Sequence, residues 1–363
     1  RSWRFIMSEF KVNSITNQNG SAGPQVCGIS TFSGKSGVQI PSGSSEFRRQ
    51  DGGGRGRAIF SGGYETPSNL KEIQTVEIAT TGNGVDFGDM SVTRRESAAA
   101  GNTTRGVIAG GTGPITDSVE FIVMSSQGGG IDFGNLSSTR RSFSGSGNDT
   151  RGIFFGGNNP TRTSIIEFIN FAHTGSVNDF GRLGVFSGYN SNGEGGFPSD
   201  DNGSCSSPTR AIVFGSGDAN TINSQKIQFV TISTLGDTQL FGDLTEGVRY
   251  TAGCSSPTRG LRGGGKTSSE VDTIDFVTIA STGNATDFGN LTDQRSHLGS
   301  ASSHTRGLFT GGYDQPSVFN IIDFVTISST GNAADFGDLT FTGLDNGKAR
   351  NTAGCSDSNG GLL

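Results

Sequence analysis

The sequence predicts an all-β fold, a six-bladed β-propeller, and three observations lead to that prediction. A unit of roughly 47 residues occurs six times. Each unit contains four short strand-like segments separated by Gly-rich corners. Gly accounts for 60 of the 363 residues, and Ser, Thr and Asn are also abundant, so that the chain favours turns and strands over helices. Repeats of about 40–50 residues built from short strands are typical of closed propeller-like arrays.

The most regular part of the unit is a short segment around one Phe. It reads VDFGDM in the first unit and ADFGDL in the last. Its aromatic residue recurs as Phe87, Phe133, Phe180, Phe241, Phe288 and Phe336, in steps of 46, 47, 61, 47 and 48 residues. Only 31% of the residues are hydrophobic, but 26 are Phe, and their regular placement predicts a thin aromatic core rather than disorder.

The last unit shows the expected order of strands. RSHLGSASS (295–303) is a run of small residues, RGLFTGG (306–312) is apolar, NIIDFVTI (320–327) is β-branched, and ADFGDL (334–339) ends the unit. Because the innermost strands of a propeller crowd around its axis, the small-residue segment is predicted to be innermost, and the other three follow outward.

Six sets of the second, third and fourth strands are expected, near 57–90, 105–136, 151–183, 210–244, 259–291 and 306–339. The first set lacks a small-residue strand, since 46–54 is charged, whereas 348–363 supplies one at the other end of the chain. We therefore predict that 348–363 closes blade 1, in a propeller spanning 47–363. The alternative is a seventh blade that combines this strand with 26–32 and 37–41. Residues 1–46 are predicted to be an extended N-terminal arm that serves as an attachment segment.

Several charged residues recur in a fixed phase and are therefore interpreted as scaffold. They are expected to form ion pairs between strands or to cap turn carbonyls. These residues are the arginines that begin the second strands, together with Arg95, Arg141, Arg249, Arg295, Arg350, Asp86, Asp132, Asp179, Asp287 and Asp335.

Binding residues are sought where the repeats differ. The 61-residue step contains an insertion, 184–203, which carries the candidate residues Phe186, Tyr189, Phe197, Asp200 and Asp201. Tyr64 and Tyr313, in the connections between second and third strands, are further candidates and are expected on one face of the ring. A solvated loop without a ligand is the alternative for both regions.

Composition argues against several other functions. The net charge is −6 and Lys and Arg are spread along the chain, so we expect no nucleic-acid partner. No apolar run approaches the about 18 residues of a membrane span, so no membrane insertion is expected. The three histidines lie in different segments, and no cysteine pair has metal-ligand spacing. We predict a non-enzymatic protein with no catalytic residues, no metal and no cofactor.

The unit resembles the kelch repeat, most closely at Gly62-Gly63-Tyr64 and Gly311-Gly312-Tyr313, where the second strand ends in Gly-Gly-Tyr. The resemblance covers roughly 315 residues. The chain departs from it in the fourth strand, where kelch repeats typically have Trp and this chain has Phe. Kelch propellers are mostly binding scaffolds, so the resemblance implies interaction with a partner.

The N-terminal stretch FKVNSITNQNGSAGPQVCGISTFSG and repeat phrases such as IDFVTISSTGNAADFGDL also resemble virion proteins of marine tailed phages, especially cyanophages. This resemblance implies a virion structural protein, assembled in the host cytoplasm, with the propeller displayed on the tail or capsid surface for host adsorption or subunit interaction. Its expected partners are other virion proteins, through the arm, and a host-surface glycan or protein. The alternative is a glycan-binding or glycan-cleaving module that uses the 184–203 loop.

Overall fold

The computed structural model describes residues 56–184, 201–217, 223–342 and 346–362. These residues form six four-stranded antiparallel sheets and two short hairpins, and no helix occurs among them. The sheets are the blades of a six-bladed β-propeller, which confirms the predicted fold class. None of the described residues belongs to a helix that could cross a membrane. The predicted arm, 1–46, lies outside the described residues.

The innermost strands are the small-residue segments, as predicted. Their side chains pack on glycines of the next blade: a Cβ built on Gly260 would lie 2.7 Å from Sγ of Cys205, and one on Gly307 would lie 2.6 Å from Sγ of Cys254. Burial raises the pKa of the Cys254 thiol to about 12, so that this sulfur acts as a small apolar group. The innermost strands of blades 1 to 6 are β28 (Ala353–Ser356), β6 (Ala98–Gly101), β10 (Ser144–Gly147), β14 (Gly203–Ser206), β18 (Ala252–Ser255) and β22 (Gly299–Ser302).

Each second strand begins with an arginine that joins neighbouring blades. Nη1 of Arg105 donates to the carbonyl of Phe171 in the next blade at 2.6 Å, while its guanidinium lies 4.6 Å from the ring centre of Phe121 in its own blade. The same arrangement closes the ring, because Nη1 of Arg306 donates to the carbonyl of Ile78 at 3.0 Å. The second strands are β1 (Arg57–Ser61), β7 (Arg105–Ala109), β11 (Arg151–Phe155), β15 (Arg210–Phe214), β19 (Arg259–Lys266) and β23 (Arg306–Thr310).

The third and outer strands bury the periodic Phe. In five blades this ring meets a Phe of the third strand edge-on, with centroids 5.8–6.1 Å apart. The third strands are β4 (Glu72–Glu77), β8 (Ser118–Val123), β12 (Ile165–Asn170), β16 (Ser224–Thr231), β20 (Glu270–Thr278) and β26 (Ile321–Thr326). The outer strands are β5 (Val85–Asp89), β9 (Ile131–Asn135), β13 (Asn178–Arg182), β17 (Gln239–Val248), β21 (Thr286–Asn290) and β27 (Ala334–Asp338). Two hairpins, β2–β3 (Tyr64–Glu65, Ser68–Asn69) and β24–β25 (Tyr313–Asp314, Ser317–Val318), extend from blades 1 and 6.

Blade 1 is closed by the C-terminal strand, as predicted. β28 pairs antiparallel with β1, from Ala58 opposite Ser356 to Ser61 opposite Ala353. In the other blades a side chain in the connecting turn caps the first amide of the second strand. In blade 1 the buried Asp357 does so across the break, because its Oδ1 accepts from the backbone N–H of Arg57 at 2.8 Å. The seven-bladed alternative is therefore wrong.

Four buried ion pairs lie between an arginine and the third strand. Arg94 pairs with Glu120, Arg140 with Glu167, Arg262 with Asp275, and Arg295 with Asp323. In blades 1 and 4 the equivalent third-strand residue is Gln74 or Gln228, and neither blade has a buried arginine among the described residues. The acid is thus present in the blades that supply a buried cation. An unpaired buried carboxylate would be costly.

Among the described residues, none of the recurring Asp residues pairs with a recurring arginine, and Asp179 instead pairs with Arg182 of its own strand at 2.6 Å. This corrects the expectation of ion pairs between strands at the Asp positions. Asp86 and Asp335 are exposed, and each accepts the N–H of the Gly two residues later, at 3.1 Å. Arg295 is buried and occupies the same repeat position as Arg94 and Arg140. This position lies one residue before the one shared by Arg95, Arg141, Arg249 and Arg350.

Candidate functional site

Six residues form a closed backbone ring around the axis at one face of the propeller. Each lies two residues before the first residue of an inner strand and has a φ between 56° and 59°. Its N–H donates to the carbonyl of the equivalent residue in the preceding blade, at 2.7–3.2 Å, and the sixth bond returns to the first residue. We call these the rim residues: Glu96, Ser142, Asp201, Tyr250, His297 and Asn351.

The rim uses backbone geometry that is unusual for its residue types. A left-handed φ costs a non-Gly residue about 1–3 kcal/mol, and here one hydrogen bond per residue offsets the cost. Because the backbone alone makes the ring, six different side chains occupy equivalent positions around the axis. They surround the mouth of an axial cavity of ≈ 120 Å³, lined by the beginnings of all six inner strands.

Below the rim, the cavity is lined with buried hydroxyl groups. Ser97, Ser144, Ser204 and Thr352 all lie in its wall and are at least nine-tenths buried. Their hydroxyl oxygens have no hydrogen-bond partner within the described part of the chain. Buried hydroxyls normally have partners, so this wall favours a polar occupant.

Aromatic and cationic side chains alternate along about half of the mouth. Tyr64 has the guanidinium of Arg95 at 4.1 Å from its ring centre and that of Arg350 at 5.3 Å. Arg350 also lies 4.2 Å from the ring centre of Tyr313. The series continues through His297 and Tyr250 to Arg249, which lies 5.1 Å from the ring centre of Tyr250. We call these seven residues the aromatic–cation arc.

His297 is the centre of the arc. Its ring stacks on Tyr250 with centroids 3.8 Å apart and meets Tyr313 edge-on at 6.2 Å. Burial, together with the nearby positive charges of Arg350, Lys266 and Arg249, lowers the pKa of His297 to about 3. The imidazole is therefore neutral at physiological pH, and the field around it is positive.

At the Arg95 end of the arc, the carboxylate of Glu96 neutralises two arginines. Glu96 pairs with Nη1 of Arg141 at 3.1 Å and with Nε of Arg95 at 3.4 Å. Lys266 is likewise paired, with Glu270 at 2.7 Å. By contrast, neither Arg249 nor Arg350 has a carboxylate partner among the described residues. The unneutralised positive charge is thus concentrated beside His297.

The far end of the axis is occupied by residues that follow the closing strand. The Nδ2 group of Asn359 donates to the carbonyl of Gly101 at 2.9 Å, and Leu362 is fully buried. A Cβ built on Gly361 would lie 1.8 Å from the carbonyl oxygen of Gly147 in blade 3. Among the described residues, the rim is therefore the end of the axial cavity that is not filled.

The structure brings three of the sequence-predicted site residues to this face. Tyr64 and Tyr313 begin the two hairpins and belong to the arc, and Asp201 is a rim residue. Phe186, Tyr189, Phe197 and Asp200 lie outside the described residues, as does most of the 184–203 insertion.

Sequence reasoning missed the other five rim residues and the cations of the arc. A signal for the rim was present, because Glu96, Ser142, Tyr250 and Asn351 stand two residues before equivalent small-residue strands and differ in every repeat. His297 occupies the same position in blade 6.

One Ser–His pair at the site has the spacing of a nucleophile and base. Ser296 Oγ and His297 Nδ1 share a hydrogen bond of 2.8 Å. Ser296 is fully buried, and its hydroxyl also lies 3.3 Å from the carbonyl of Tyr313. A buried hydroxyl next to an imidazole of such low pKa is poorly suited to attack a substrate. In the described part of the chain, no three His, Cys, Asp or Glu side chains are grouped as metal ligands.

Comparison with known proteins gives no relative for this chain: no protein-family model and no curated protein matches it. The site is therefore interpreted from its own geometry. A rigid backbone ring, variable side chains, a hydroxyl-lined cavity and an aromatic–cation arc are suited to holding a polar ligand.

Proposed function

We propose that this protein is a non-enzymatic binding module whose ligand docks on the rim face of the propeller. The observation that carries the proposal is the rim: six equivalent positions on one closed backbone ring bear six different side chains. Repeated scaffold residues serve every blade equally, whereas a ring of unlike side chains presents one particular chemical surface. Rigid scaffolds that display variable residues are a common way of building binding sites.

We further propose that the module is a virion structural protein of a tailed phage, with residues 1–46 attached to other virion proteins and the propeller displayed on the tail or capsid surface. The resemblance of the N-terminal stretch and of the repeat phrases to marine phage proteins supports this setting. Host adsorption or contact with another virion subunit is then the role of the rim face. Two hairpins beside the mouth enlarge that face.

The test has two parts. Mass spectrometry of purified particles that carry this gene is expected to detect the chain, and its absence from the particle refutes the virion setting. Purified full-length protein is expected to compete with particles for adsorption to host cells, and a Tyr313→Ala variant is expected to compete less well. The matched control is Asp132→Ala, a change at an exposed position of the outer strand β9. Equal competition by both variants would show that the rim face is not the adsorption surface.

A glycan-cleaving module is the alternative activity. The 184–203 loop, which this alternative would use, carries the carboxylates Asp200 and Asp201, and only Asp201 falls within the described residues. Turnover of a host-surface glycan by the purified protein would favour this alternative over the binding role.

A further inference from the structure

We infer that the rim and the arc bind an acidic saccharide, with a carboxylate-bearing sugar residue seated at the mouth of the axial cavity. This inference rests on the proposed binding function and names the chemical class of its ligand. Three independent features of the site support it, namely its hydroxyl groups, its aromatic rings and its charge.

The hydroxyl-lined wall calls for an occupant with many hydrogen-bonding groups. Four buried hydroxyls line one cavity without partners among the described residues, and a buried polar group that lacks a hydrogen bond is destabilising. Water can satisfy them in the free protein, since the cavity of ≈ 120 Å³ has room for several molecules. A sugar carries a hydroxyl on most of its ring carbons, so it can replace those waters and reproduce their hydrogen bonds.

The aromatic rings add the second element of saccharide recognition. Tyr250, His297 and Tyr313 pack against one another at the mouth and are only half-buried. Their mutual stacking fixes their orientation before a ligand arrives, which reduces the entropy cost of binding. Apolar C–H faces of a sugar ring can lie on such rings while its hydroxyls face the polar wall.

The charge distribution selects an anionic sugar over a neutral one. Arg249 and Arg350 are the two cations of the arc that lack a carboxylate partner among the described residues, and they flank Tyr250, His297 and Tyr313. Arginine presents a planar fork of donors that matches a carboxylate. Burial is the main cause of the lowered pKa of His297, and the charges of Arg350, Lys266 and Arg249 lower it further. A carboxylate on this side of the mouth would neutralise charge that the protein leaves unpaired.

The experiment compares two probes that differ only in the carboxyl groups. A short oligogalacturonate and its carboxyl-reduced counterpart are titrated into the full-length protein by calorimetry at low and moderate salt. We expect the acidic probe to bind about tenfold more tightly or better, corresponding to about 1.4 kcal/mol. Added salt should reduce that preference.

Substitutions then assign the preference to the arc. Arg350→Gln should abolish the preference for the acidic probe, and Arg350→Lys should retain part of it, because the charge remains. Arg141→Gln is the matched control on the opposite side, where Glu96 already neutralises the cation. Ser204→Ala should weaken the binding of both probes equally, since a hydroxyl in the wall does not distinguish their charges. Thermal melts of each variant identify any loss that comes from unfolding.

Each result decides a different statement. Equal binding of the two probes, or an Arg350→Gln variant that keeps the preference, overturns the acidic class but leaves the saccharide-binding site standing. If neither probe binds while the protein still competes for host adsorption, the saccharide inference is overturned and the proposed binding function stands. If the protein binds neither probe and does not compete for adsorption, the proposed function fails with it.

Discussion

The buried ion pair of blade 2 gives the sharpest test of how the blades are held together. Arg94 is 0% exposed and Glu120 only 2%. The arginine comes from the link that leads out of blade 1, and the carboxylate comes from the third strand of blade 2. Nη1 of Arg94 also donates to the carbonyl of Gly110 at 3.2 Å. Removing one partner therefore leaves the other charge buried.

Blade 1 shows what the same site looks like without an arginine, since the carboxamide nitrogen of Gln74 donates to the buried carboxylate of Glu72 at 2.8 Å. Its equivalent residues are Ala349 and Gln74, both fully buried, and the carboxamide oxygen of Gln74 accepts a backbone N–H from the preceding link at 3.0 Å. In blade 2 the carboxylate of Glu120 accepts the corresponding N–H at 3.1 Å. The double substitution Arg94→Ala with Glu120→Gln thus gives blade 2 the residues that blade 1 already uses.

We expect each single substitution to lower the free energy of unfolding by about 3–5 kcal/mol, the usual cost of breaking a buried pair. The double variant should lose less than the sum of the two single losses, because no charge remains buried. A coupling free energy of about 2–3 kcal/mol is expected, at the upper end of values for residues in contact.

The free energy of unfolding of all four proteins is measured by urea unfolding, followed by far-UV circular dichroism and extrapolated linearly to zero urea. The comparison needs only differences between variants. Two results would refute the reasoning: a double variant that loses the sum of the two single losses, or a Glu120→Gln variant as stable as the unaltered protein.

Three further predictions concern closure, packing and pH. Asp357→Ala removes the carboxylate that caps the N–H groups of Gly56 and Arg57 at the beginning of β1, and it should lower the free energy of unfolding in urea by about 1–3 kcal/mol. The control Asp86→Ala removes an exposed cap and should change this free energy by less than about 0.5 kcal/mol. Equal effects of the two substitutions would contradict the role of Asp357 in closing blade 1. Gly337 has a φ of 147°, and the Cβ added by Gly337→Ala would lie 2.5 Å from a backbone carbonyl oxygen of blade 1, so this variant should have a lower melting temperature. The control Gly283→Ala adds a Cβ with nothing within 4 Å and should melt like the unaltered protein. The pKa of His297 is about 3 in the native state and about 6.5 in the unfolded state, so the unfolded state binds more protons between these two pH values. The free energy of unfolding should therefore fall as pH decreases across that window, by at most about 1.4 kcal/mol per pH unit. A His297→Gln variant whose stability falls equally steeply with decreasing pH would contradict this.

The architecture was predictable because it depends on periodic features. A repeated Phe marks each blade, and smallness marks each inner strand, since bulky residues cannot fit at the axis. The spare strand at 348–363 could be assigned to blade 1 because only that blade lacked an inner strand. These inferences need only the spacing and size of residues along the chain.

The partners of the charged residues were less accessible to sequence reasoning. Arg262 lies in a second strand, where other blades have apolar residues, yet it supplies the cation that Asp275 needs at 2.5 Å. The cation of this pair thus comes from a strand of blade 5 itself, whereas in blades 2, 3 and 6 it comes from the link that precedes the blade. A fixed repeat phase cannot reveal such a substitution, because the pairing depends on where side chains meet in space.

The rim was hidden for a different physical reason. Residues with a left-handed φ are usually Gly, and among the other types Asn, Asp and His are enriched, so three of the six rim residues, Glu96, Ser142 and Tyr250, are of types that rarely adopt it. The ring of hydrogen bonds between blades holds these three in this conformation, and no local sequence signal predicts a bond to another blade. Because the ring needs only backbone groups, it constrains neither the charge nor the shape of the side chain at these positions. Under the proposed binding function, folding and recognition would therefore be separated within the same six residues: their backbones form the ring around the mouth, and their side chains would determine what it binds.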